Sequence, residues 1–72
     1  PNPVINNLNI DISSENGKAI LTSILGQTMA TKLIYKGQNK LDLNNLKNGT
    51  YILEIKDENG ETIKSEKIQV NK

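Results

Sequence analysis

The stretch Asn48-Gly49-Thr50-Tyr51-Ile52-Leu53-Glu54-Ile55-Lys56 decides the fold. An Asn-Gly turn signal runs directly into a strand pattern. Tyr51, Leu53 and Ile55 share one face, because strand side chains alternate with a period of two. Thr50, Ile52, Glu54 and Lys56 share the other. One face is wholly apolar and the other mostly polar, so this is a strand with one side in a core. The rest of the chain reads as partners for that face.

Toward the N-terminus, Leu8, Ile10 and Ile12 alternate with Asn7, Asn9 and Asp11, which predicts a half-buried strand. Ser13-Ser14-Glu15-Asn16-Gly17 reads as a tight turn that ends it. Ala19 to Leu25 predicts a second strand, with Ala19, Leu21 and Leu25 on one face and Ile20 and Ile24 on the other. Period two leaves its inside face open. Gly26-Gln27 ends or bends it, and Met29, Thr31, Leu33 and Tyr35 form the expected inward face of a third strand. Lys36-Gly37-Gln38-Asn39 reads as a turn, Leu41 and Leu43 as inward residues of a short fourth strand, and Leu46 as a plug at a corner. Beyond the central stretch, Asp57-Glu58-Asn59-Gly60-Glu61 predicts a hairpin turn. In Thr62 to Val70, Ile63 lies on one parity and Ile68 and Val70 on the other, which predicts a bulge near Glu66-Lys67. No window shows helical periodicity. The expected fold is all-β: a small immunoglobulin-like antiparallel β-sandwich of six or seven short strands in two sheets.

Composition narrows the function. The chain has 72 residues, one domain near the lower limit of independent folding. It has no Cys and no His, which removes disulfides, thiol nucleophiles, the commonest general base and the commonest transition-metal ligand. Its nine basic residues are all Lys and intersperse with eight acidic ones, for a net charge of +1. Without Arg, a basic block or an aromatic platform, nothing points to nucleic acid. No apolar run approaches the roughly 20 residues that a membrane-spanning helix needs. Pro1-Asn2-Pro3 reads as the end of a linker, with residues 1–6 as an entry segment. The start at Pro1 and not Met suggests a domain cut from a longer protein.

The carboxylates are the sole catalytic candidates, and no His, Arg or Trp stands ready to separate their pKa values. Asp57 to Glu61 places oxygen ligands beside Gly60 but lacks the spacing of a calcium-binding loop. Gly26 and Gly49 lack the spacing and the helix of a phosphate loop. No enzyme, cofactor or metal site is expected.

Four features in order carry a family resemblance: Pro1-Asn2-Pro3, Leu25-Gly26-Gln27, Leu41 through Gly49-Thr50-Tyr51 to Ile55, and Lys67-Ile68-Gln69-Val70. Together they span nearly the whole chain, which resembles the type A C-terminal sorting domain of the Bacteroidota type IX secretion system. Pro1, Pro3, Leu25, Gly26, Gly49 and Tyr51 match positions that the resemblance implies are structural. Lys67, Ile68 and Val70 match the terminal basic-hydrophobic signal, and the resemblance implies that the translocon reads them. Ile68 and Val70 serve equally well as core, and the two roles are compatible. Gln27, Thr22 and Ser23 depart from the family pattern at the strand end. The resemblance further implies that the domain rides on a larger cargo protein. An outer-membrane translocon and its shuttle protein would recognise it, and a sortase-like cysteine protease would usually remove it. The cargo would reach the cell surface or medium by way of the periplasm, with no membrane insertion of this domain. The alternative is a non-catalytic immunoglobulin-like spacer or a carbohydrate-binding module of a secreted hydrolase or adhesin. An exposed flat patch containing Tyr35 or Tyr51 would favour it.

Overall fold

The computed structural model describes residues 7–71, without the side chains of residues 13–15. Pro1 and Pro3 therefore lie outside the described residues. Four strands, β1 (Asn7–Ser23), β2 (Thr28–Asp42), β3 (Gly49–Asp57) and β4 (Thr62–Val70), form one antiparallel sheet in the order β2-β1-β3-β4. The all-β, antiparallel expectation is met. The strand count and the two separate sheets are corrected: there is one sheet, and it curls over on itself.

The curl follows from length. Seventeen residues of extended β1 would span roughly 56 Å, yet the longest dimension of the molecule is 32 Å. β1 must bend. It does so where residues 13–15 stand opposite Lys36, between the Ile12↔Gly37 and Asn16↔Tyr35 pairs. The segment read as a turn is therefore an irregularity inside one strand. It folds Asn7–Ile12 and their partners on β2 back across the face of β3 and β4.

The bend also resets the parity of both strands. In β1 the buried residues are Leu8, Ile10 and Ile12 before it, and Ala19 and Leu21 after it. In β2 the inward residue before the bend is Ile34, and after it Leu41. The face expected to be inward is thus reversed: Leu33 is exposed and Tyr35 is 58% exposed. Asn39 fixes the bend of β2. Its Oδ1 accepts from the Tyr35 amide (3.0 Å), and its Nδ2 donates to the carbonyls of Tyr35 (2.7 Å), Gly37 (3.2 Å) and Ile10 (3.4 Å). Gly37, at φ 99°, takes the left-handed turn that the bend requires.

Gly17 sits just past the bend, paired with both Ile34 and Asp57. A Cβ there would collide with the Lys56 carbonyl. Its role is close backbone approach, not the hairpin turn that Asn16-Gly17 suggested.

The core lies inside the curl. Tyr51, Leu53 and Ile55 of β3 are all buried, as the alternation predicts. Ile68 and Val70 complete it from β4. The β4 irregularity falls between Thr62 and Lys64, not at Glu66-Lys67; Ile63 is the extra residue and is half exposed. Between β2 and β3, buried Leu43 and partly buried Leu46 close the end of the core, the expected role for Leu46.

Candidate docking end of the sheet

The first question is whether any cleft could do chemistry. A shallow hollow of about 370 Å³ on the outer face is lined by Lys18, Ile20, Leu33, Lys56 and the Asp57–Gly60 turn. A smaller one of about 180 Å³ lies between Ile10–Ile12 and Ile63–Lys64, where the curl stays open. Neither contains a His or a Cys, since the chain has none. Among the described residues no group of three acidic side chains is placed to hold a metal ion. No described helix is long and apolar enough to cross a membrane. The Asp57 carboxylate, the first oxygen of the calcium-like run, accepts from the amides of Asn59 (2.9 Å) and Glu61 (3.0 Å). That is a side chain closing its own turn.

Among the described strands, β2 and β4 end the sheet order. The side chains of Ile68 and Val70 point into the core, each 1% exposed, while Lys67 is exposed. In the folded domain Lys67 is the exposed member of this trio. The burial of Ile68 and Val70 matches the core role that their alternation also allowed.

The family-motif residues have separable physical jobs. Tyr51 is buried and its hydroxyl donates to the Lys47 carbonyl at 2.7 Å, tying the start of β3 to the preceding loop. Gly49 opens β3 and pairs with Val70. Gly26, at φ 91°, occupies the left-handed position of the β1–β2 turn. Leu25 has no packing role: it is 86% exposed at the tip of that turn, and Ile24 beside it is 70% exposed.

The end of the sheet that carries this tip is assembled by register. Ser23 pairs with Tyr51, and Tyr51 pairs with Ile68, so all three form one row across β1, β3 and β4. Past that row lie the Ile24–Gln27 turn on one side and Gln69 to Asn71 on the other. Two strand spacings, roughly 10 Å, separate β1 from β4. The hairpin tip and the end of β4 thus leave the same end of the sheet.

A family model, described as a secretion system C-terminal sorting domain, matches residues 1–71. The chain belongs to the type IX secretion C-terminal sorting domain family. No curated protein and no solved structure gives a significant match. Membership makes this sorting domain a type IX secretion signal and implies export to the cell surface or medium. The burial of Tyr51 leaves Tyr35 as the one exposed ring, too little for the stacking surface that a carbohydrate-binding module needs.

Proposed function

We propose that this sorting domain acts as a folded signal at the end of a cargo protein. The outer-membrane translocon and its shuttle protein bind it, and a sortase-like cysteine protease then removes it at the surface. The observation that carries this reading is the family match along residues 1–71. The family is one of sorting signals, which supports a binding role over an enzymatic one. Lys67, exposed on β4 at the end of the described sheet order, offers a charged side chain that a receptor reads whatever the cargo. Ile68 and Val70 hold that strand in register from inside.

The test is a periplasmic reporter carrying this domain at its C-terminus, expressed in type IX-competent cells and in cells lacking the translocon. The reporter is expected in the medium or on the surface of the first and in the periplasm of the second. Equal export from both would sink the sorting role. Loss of the domain from the exported reporter, blocked by a cysteine-protease inhibitor, is the expected sign of cleavage.

A further inference from the structure

The two hairpin turns of this domain are built on one plan. In the β1–β2 turn the Ser23 amide donates to the Gln27 carbonyl (2.8 Å) and the Gly26 amide to the Ser23 carbonyl (2.9 Å). In the β3–β4 turn the Asp57 amide donates to Glu61 (2.9 Å) and the Gly60 amide to Asp57 (3.0 Å). Ser23 Oγ accepts from the amides two and four residues on, and Asp57 Oδ1 does the same. Both glycines take positive φ, 91° at Gly26 and 84° at Gly60. The central pair differs. It is Glu58-Asn59 in one turn and Ile24-Leu25 in the other.

The β3–β4 turn is therefore an internal control. The same backbone is satisfied by two polar residues in water, so the fold does not ask for Ile and Leu. Two large aliphatic side chains on a hydrogen-bonded turn stand exposed at no benefit to the core of the sheet. They also lie in the longest uncharged run of the chain, Ala19 to Thr31, whereas Lys56, Asp57, Glu58 and Glu61 surround the other turn. Interface centres are depleted of charge in this way, while binding to an anionic lipid surface draws on nearby Lys or Arg. Met29, partly exposed, follows directly on β2.

We propose that the Ile24-Leu25 tip is a docking knob that inserts into an uncharged apolar pocket of a protein receptor. This rests on the sorting-domain reading and adds a contact to it. The tip and the end of β4 leave the same end of the sheet, so a single receptor reaches both the knob and the exposed Lys67. Leu25, the more exposed of the two, is the anchor and Ile24 its flank.

The test transplants the polar pair: Ile24→Glu with Leu25→Asn, in the reporter fusion. The matching turn shows that this pair suits the backbone, so the melting temperature is expected within about 4 °C of the parent. Export through the intact translocon is expected to fall about tenfold or more. Leu25→Ser, a smaller change, is expected to fall in the same direction. The reverse exchange, Glu58→Ile with Asn59→Leu, is expected to leave export unchanged. Undiminished export of a folded tip variant overturns the knob and leaves the sorting role standing. Translocon-independent export of the parent overturns both. Sedimentation of the parent domain with phosphatidylethanolamine and phosphatidylglycerol vesicles, lost in the tip variant, would overturn the choice of a protein receptor.

Discussion

Two residues show how a motif letter acquires a physical job. Gly17 follows Asn16 and carries a hairpin signal in sequence, yet it lies inside β1 with a neighbouring backbone where its Cβ would be. Close approach and tight turning both select Gly, and nothing local separates them. Gly17→Ala pushes against the Lys56 carbonyl, which cannot retreat because Lys56 is paired with Lys18. A loss of about 1–3 kcal/mol is expected in urea unfolding of the domain; a neutral result would mean that β1 and β3 separate freely there. Tyr51 is the opposite case. Its burial followed from strand parity alone, but its hydroxyl bond to Lys47 did not, since that depends on where the loop returns. Tyr51→Phe removes the donor and leaves the ring, and should cost about 1 kcal/mol. That corresponds to a melting shift of about 4–8 °C for a domain of this size.

At the level of elements, β3 and β4 were the legible half. The apolar residues of β3 alternate over a full strand, Ile68 and Val70 alternate at the end of β4, and the Asp57–Glu61 turn has strong local chemistry. β1 and β2 were misread because each changes its buried parity partway along. A parity change looks like a strand end when no turn geometry is visible. The reading therefore cut two long bent strands into four short ones and turned Tyr35 inward. The agent of the bend is Asn39, whose amide touches the backbone of both strands. Asn39→Ala should destabilise the domain by about 1–2 kcal/mol. Amide exchange should rise at Tyr35, whose N–H loses its acceptor, more than in β3. Uniform exchange changes would mean that the bend is held by packing alone. β4 yields a complementary expectation. Deleting Ile68 to Lys72 removes two core side chains together with their pairing to Gly49–Tyr51. The truncated domain should lose its cooperative melting transition, so any loss of export in that deletion reports the fold as much as recognition. Lys67→Glu changes the exposed side of β4 without touching the core and is the informative variant for β4. It should still melt cooperatively while export falls.

For the whole molecule, one curled sheet around one core implies that the signal is either folded entirely or not present. There is no second core to keep the docking end in shape if the first is damaged. Leu21 is fully buried in β1, two residues before the row that organises the hairpin tip and the end of β4. Leu21→Ala should cost about 2–5 kcal/mol. A domain this small holds roughly 4–10 kcal/mol in total, so the variant should be partly unfolded near the growth temperature. Leu25, Ile24 and Lys67 are all retained in its sequence. If the receptor reads a three-dimensional surface, export of the Leu21→Ala reporter should fall with the folded fraction measured by circular dichroism. It should recover as the culture is cooled toward the temperature of greatest stability. Full export of a fusion whose domain is unfolded at the same temperature would show that the translocon reads a linear peptide. The row that joins Ser23, Tyr51 and Ile68 would then align the signal only by coincidence.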